Sequence, residues 1–275
     1  MTINSKVYYV DVGAANAVDR KFKEFLRDER LSYVGFEPDA RSALEFPGQV
    51  HPVALGAKRE VRTLNLCRKP EVSSFLKPNM RLLRNFHRPE RFDVVSTSEV
   101  EVVPLNDYLD KSGAYILKLD VQGFELEVLK GATQLLANTV AVELEVEFLE
   151  LYEGQPLFGD ISSFLGAHGF VFEDFVKLVH WPRPNGLGLG ALAFGQALFV
   201  RTIDSFNEME AKSKFEAMAL VVEAYGRHDF QHAYGVEVSQ QKAFRLGLDA
   251  RTGYWMGRAL KRFTGKQWIR FSDPT

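Results

Sequence analysis

Residues Val7–Arg20 read VYYVDVGAANAVDR. The stretch passes from apolar β-formers to small residues with no polar spacer. VYYVDV predicts a buried strand. Val18–Arg30, charged but with Phe22, Phe25 and Leu26 on one side, predicts an amphipathic helix after it. A turn that leaves a strand and opens a helix points backbone N–H groups outward, and only small residues let a ligand approach that backbone. Gly13, Ala15 and Ala17 have the alternate spacing of a G-x-G-x-G loop with two glycines replaced by alanine. Asp11, just ahead of it, suits a cationic or hydroxyl partner.

Outward from this turn, strands are predicted at Leu31–Phe36, Val50–Leu55, Tyr115–Val121, Val140–Phe148, Gly169–Val176 and Gln196–Arg201. Helices are predicted at Ala40–Phe46, Leu105–Leu109, Phe124–Leu136 and Asp160–His168. This alternation predicts an α/β fold with a doubly wound, mostly parallel seven-stranded sheet. The last two strands are joined by a Gly/Pro-rich loop without a helical pattern, which predicts an antiparallel edge hairpin. Arg59–Val103 holds β-like pieces around a loop and reads as inserted strands or a lid.

The expected main domain is 1–204, with the insert at about 59–103. An extension follows at 205–275, helical at Phe206–Tyr225 and Val238–Leu248. Between Arg245 and Arg270 it is basic, with Tyr254, Trp255, Phe263 and Trp268 interleaved. It reads either as an appendage packed on the domain or as a tail docking on a membrane surface, a glycan or a partner.

The net charge is -2, so no strong field favours nucleic acid. A single cysteine, Cys67, rules out a disulfide within the chain and fits a reducing, cytoplasmic setting. MTINSK leads directly into a strand pattern without a secretory leader. The longest uncharged run, Asn185–Val200, is broken by glycines and too short to span a bilayer.

Glu37 ends the second strand, 24 positions after Gly13. An acid there can accept both hydroxyls of a ribose. Dinucleotides and S-adenosylmethionine both carry that ribose. A cationic, phosphate-free ligand does not need the third glycine, and Asp11 suits an ammonium group; both points favour S-adenosylmethionine over NAD. Further on, Lys118 and Asp120 share one side of a strand expected at the sheet centre. Glu143, Glu145 and Glu147 share one side of the next and are the expected partners of Lys118. The acids read either as a structural ion-pair network or as a carboxylate cluster facing a substrate hydroxyl or a metal.

VDVGAANA, GFEPDA, EVSSFLKPN, ILKLDVQGFELEVLKGA and EVEFLELYEGQPLFGD together resemble the FkbM-type methyltransferases over Val7–Arg201. The resemblance implies a class I methyltransferase fold, S-adenosylmethionine as donor, and O-methylation of a sugar, glycan or natural-product hydroxyl. It implies that Asp11, Gly13 and Ala15, with Ala14 and Asn16, form the methionine-side loop. Glu37, beside Pro38, would hold the ribose. Val53–Leu55, including Ala54, would lie near the adenine. Asp120 would sit by the methyl group and the acceptor, as base or orienting residue, with Glu145 or Glu147 second. Ser73 and Ser74 match the family's Ser-Ser loop. Asn106 and Gln122 depart from its commoner Asp and Glu.

Two other functions share parts of this pattern: an NAD-binding oxidoreductase, and a non-catalytic scaffold with a worn donor pocket. No Tyr-x-x-x-Lys pair, P-loop or Gly-x-Ser-x-Gly elbow is present, and the six histidines show no metal-site motif. The expected partners are a small-molecule or glycan acceptor and no nucleic acid. Peripheral membrane contact through the tail and a homodimer are both compatible with the sequence.

Overall fold

The computed structural model describes residues 6–14, 18–39, 49–108, 113–184 and 188–238. Val7–Val12 forms β1, buried on both faces. The chain turns at Gly13 into α1 (Arg20–Arg27), whose first turn is capped by Asp19 accepting from the Lys21 N–H. Phe22 and Phe25 are the buried side of α1, and Phe22 stacks on Tyr9 with ring centroids 4.2 Å apart. Burying such a side chain contributes about 1.5–3 kcal/mol. The alternation read from the sequence therefore docks α1 on β1.

β2 (Ser32–Phe36) pairs in parallel with β1. The predicted strand Val50–Leu55 is two strands: β3 (Gln49–His51) joins β2, and β4 (Ala54–Leu55) joins a separate sheet. Pro52 lies between them and has no N–H for a ladder. β5 (Glu60–Cys67) and β6 (Val94–Val103) pair antiparallel, and with β4 they make a three-stranded sheet, β4-β6-β5. Between β5 and β6 runs a loop that includes α2 (Met80–Leu83).

β7 (Ala114–Leu119) lies beside β1. The helix expected at Phe124–Leu136 is interrupted at Gly131, leaving α3 (Glu125–Lys130) and α4 (Thr133–Leu136). Gly131 packs so closely that a Cβ on it would stand 1.9 Å from the Gly56 carbonyl oxygen. Asn106 Oδ1 accepts from the N–H groups of Gln134 and Leu135, so this departure from the family pattern caps α4. The helix expected at Leu105–Leu109 is a single 3-10 turn, Leu105–Asp107.

β8 (Thr139–Glu147), α5 (Phe158–Ala167), β9 (Phe170–Trp181) and β10 (Ala191–Arg201) follow. The main sheet runs β3-β2-β1-β7-β8-β10-β9, parallel except for β10, which is antiparallel to both neighbours. This is the seven-stranded, mostly parallel sheet with an antiparallel edge that the sequence predicts. One face carries α3, α4 and α5. The other carries α1 with α6 (Ile203–Glu208), α7 (Lys214–Tyr225) and α8 (Phe230–Tyr234). Met218, Val221 and Val222 of α7 share one core cluster with Val7, Tyr9 and Phe22. The predicted helix at Ala40–Phe46, most of that at Val238–Leu248, and the basic-aromatic run lie outside the described residues.

Candidate active site

Strand order reverses at β1, which has β2 on one side and β7 on the other. In open α/β sheets ligands bind at the carboxyl ends of the strands at such a point. A cavity of about 520 Å³ opens there. Gly13, Glu37, Pro38, Ala54, Leu55, Asp120 and Glu145, all singled out from the sequence, line it. Ala14, Asp11 and Glu147 are buried and do not line it. Ala15 and Asn16 lie outside the described residues.

The Gly13 turn is fixed by its backbone. The N–H groups of Gly13 and Ala14 both donate to the Phe36 carbonyl. Gly13 has φ +79°, and a Cβ there would sit 2.0 Å from the Asp120 carbonyl oxygen. Only glycine allows the end of β7 to come so close.

Lys118 does not pair with the β8 glutamates. Its Nζ lies 2.9 Å from Asp11 Oδ1, and Tyr33 donates to the other oxygen at 3.2 Å. Lys118 stands between Asp11 and Glu143 in the strand register, and both are candidates by position. Glu143 is held from the other side: its Oε2 accepts from Lys21 Nζ and from Tyr225 Oη, each at 2.5 Å, while its Oε1 is buried without a partner among the described residues. Burial opposes the charge on Lys118, but the carboxylates of Asp11 and Asp120 outweigh it and push its pKa up. The Asp11 carboxylate thus meets the ammonium of Lys118, which itself lines the cavity.

Glu37 accepts from the Asp39 N–H at 2.7 Å. Burial pushes it up to about 7; the Asp39 N–H works against this and the charge of Asp39 with it. Beyond Asp120 the chain turns through Gln122, a non-glycine residue at φ +56°. From there Gln122 Nε2 donates to Asp120 Oδ1 at 2.8 Å and to Glu145 Oε1 at 2.9 Å, while its Oε1 accepts from Tyr152 Oη at 3.0 Å. Ser74 Oγ donates to the Gln122 carbonyl at 2.7 Å, and Ser73 Oγ accepts from the Cys67 N–H. The Ser-Ser loop thereby ties the insert to the Asp120–Gln122 turn. Burial first, then the charge of Asp120, push Glu145 well above the usual carboxylate range. Glu147 is raised in the same direction by burial and by Glu125.

Sequence reasoning noted Gln122 as a departure but not as a bridge. It missed Lys69, Arg91, Lys177 and Trp181, which also line the cavity. Lys177 and Trp181 carry the two-residue period of one strand face; Lys69 precedes one short 3-10 turn and Arg91 lies in another, Pro89–Phe92, and neither has a periodic pattern. Among the described residues no group of His, Cys, Asp and Glu could hold a metal ion, and no helix is long and apolar enough to cross a membrane.

The residues fit a cationic donor. Glu37, Asp39, Asp120 and Glu145, with Lys118 among them, line one half of the cavity, and Gly13 lets the end of β7 close up against the turn beside them.

The model of the methyltransferase FkbM domain matches residues 11–172. None of the curated proteins compared with the chain matches it. Among solved structures, it is similar to magnesium protoporphyrin IX methyltransferase (ChlM) from Synechocystis PCC 6803 with bound SAM, at 11% identity and TM-score 0.35, over 72% of this chain and 71% of that one. It is similar to Streptococcus pneumoniae Sp1610, a proposed tRNA methyltransferase, at 11% identity and TM-score 0.32, over 90% and 93%. The LepI complex with SAM follows at 8% identity and TM-score 0.30, over 74% and 44%.

Proposed function

The chain belongs to the FkbM methyltransferase family, with S-adenosylmethionine as its cofactor, and from that premise we propose that it methylates a hydroxyl of a sugar, glycan or natural product. The observation that carries this reading is the placement of Asp120. It directly follows β7 in the same cavity as Glu37 and shares the Gln122 amide with Glu145.

When bound, S-adenosylmethionine supplies an activated methyl group on a sulfonium, so the protein's main work is positioning. Glu37 would hold the ribose hydroxyls, and Val53, Ala54 and Leu55 would pack on the adenine. Asp120 would accept the hydrogen bond of the acceptor hydroxyl and take its proton, the methyl passing from the sulfonium sulfur to the oxygen and the donor leaving as the neutral thioether. Gln122 would keep the Asp120 carboxylate turned toward that point, with Glu145 on the same amide.

Calorimetric titration of the full chain with S-adenosylmethionine, S-adenosylhomocysteine and NAD tests the donor half. Binding of the first two without NAD is expected. NAD binding would turn the reading to an oxidoreductase, and no binding at all to a scaffold. For the chemistry, Asp120→Asn is expected to cut turnover far more than donor affinity. Wild-type turnover in that variant removes Asp120 as the base.

A further inference from the structure

The two halves of the cavity differ in character. The inner half is lined by Glu37, Asp39, Asp120 and Glu145 with Lys118 among them. The outer half is enclosed by the insert and by the β9–β10 hairpin. Lys177, Val179 and Trp181 alternate along β9 and line it, with Phe194 and Gln196 of β10 beside them. From the insert come Lys69, Arg91 and Phe92, with Glu71 as the acid among them.

These cations are poorly matched within the protein. Among the described residues neither Arg91 nor Lys177 forms an ion pair, and Lys69 Nζ lies 3.9 Å from its carboxylate, Glu71. The Arg91 guanidinium sits 4.4 Å from the Trp181 ring centroid, and its Nε is buried without a hydrogen-bond acceptor among the described residues. A buried donor left unpaired is destabilising. The fold keeps a cation at the cavity wall with a donor to spare.

The sheet register gives a distance. Lys177 pairs with Gln196, and Gln196 with Glu145, so the three form one row across β9, β10 and β8. Neighbouring strands are about 4.8 Å apart, which puts the Lys177 backbone roughly 10 Å from that of Glu145. Glu145 is tied through Gln122 to Asp120.

We propose that the outer half is an acceptor subsite for an anionic saccharide, its phosphate or carboxylate held by Lys69, Arg91 and Lys177, the last about three strand spacings from Asp120. A guanidinium and two ammonium groups recognise either anion. The aromatic wall of Phe92, Trp181 and Phe194 suits the apolar face of a sugar ring. This inference rests on the donor reading above, which places the reacting hydroxyl at Asp120.

The test uses the full chain saturated with S-adenosylhomocysteine and titrated with glucosyl phosphate, glucuronate and neutral methyl glucoside. Both anions are expected to bind at least about tenfold more tightly than the neutral sugar, a preference that added salt reduces. Lys177→Glu and Arg91→Gln are each expected to cost about tenfold in anion affinity while S-adenosylhomocysteine binds within about twofold of wild type. A stronger response to glucosyl phosphate identifies a phosphate ligand, and one to glucuronate a carboxylate. Equal binding of methyl glucoside, no binding of either anion, or an unchanged affinity in both variants overturns the proposal. Failure of S-adenosylhomocysteine itself to bind overturns the donor reading, and is seen before any sugar is added.

Discussion

Gln122 Nε2 donates to Asp120 Oδ1 at 2.8 Å from a backbone in the left-handed region. The same nitrogen reaches Glu145 at 2.9 Å, so one neutral amide holds two carboxyl groups side by side. An amide donates at every pH; a carboxyl in its place donates only while protonated. Gln122→Glu is therefore expected to add an alkaline limb to the pH–rate profile, with activity near wild type on the acid side and lost as pH rises. A profile of wild-type shape would show that the bridge does not orient Asp120.

In the proposed donor site Glu37 would link donor binding to pH. Burial pushes it up to about 7. Ribose hydroxyls would donate to its ionised form, so S-adenosylhomocysteine affinity is expected to fall as pH drops through that value, approaching about tenfold per pH unit. Above it the affinity is level. Glu37→Gln should abolish this dependence and weaken binding by about 1.5–3 kcal/mol on the alkaline side. Calorimetry across the range decides; a pH-independent wild type would take Glu37 off the ribose.

Gly13 faces the Asp120 carbonyl at a distance that admits no side chain. Gly13→Ala must strain a positive φ and push the end of β7 away. A loss of several kcal/mol in stability is expected, read by denaturant unfolding, with donor binding lost in whatever remains folded. Wild-type stability would contradict the close approach.

Glu125 is buried and accepts from the Val121 N–H at 2.8 Å; burial raises it to about 7. Its folded pKa lies above the unfolded one, so the folded chain holds this proton more tightly. That contribution is present in acid and lost as pH climbs through about 7, by at most about 3 kcal/mol. Glu125→Gln keeps an acceptor and drops the charge. It should unfold at a higher temperature than wild type in alkaline buffer, with the gap closing toward the ordinary carboxylate range. A gap that does not change with pH would assign the effect to packing instead.

The helix α7 ties the last described part of the chain to the sheet. Tyr225 bonds Glu143, and Glu223 pairs with Arg30 through both guanidinium nitrogens, at 3.1 and 2.7 Å. Truncation after Ser205 bares the sheet face around Tyr9 and Phe22 and leaves Glu143 without Tyr225. Loss of cooperative unfolding is expected by circular dichroism. A truncated chain that melts cooperatively would make 1–204 an independent unit.

The sequence alone determined the local parts of this protein. Small residues after VYYVDV point to a tight turn at the strand's end, and the alternation of short apolar runs with amphipathic segments encodes which faces are buried. The strand-end acids Glu37 and Asp120 were legible for the same reason: position at a strand's carboxyl end is a local property. Tertiary structure alone decided which charges meet. Lys118 had Asp11 on one side and Glu143 on the other, and the choice fell to Asp11 because α1 and α7, distant in sequence, bring Lys21 and Tyr225 to Glu143. The outer wall of the cavity has the same origin. Lys69, Arg91 and Lys177 come from separate segments, and only the pairing of β9 with β10 and the docking of the insert place them around one space. Periodicity records burial; it holds no record of register between strands, and register decides partners.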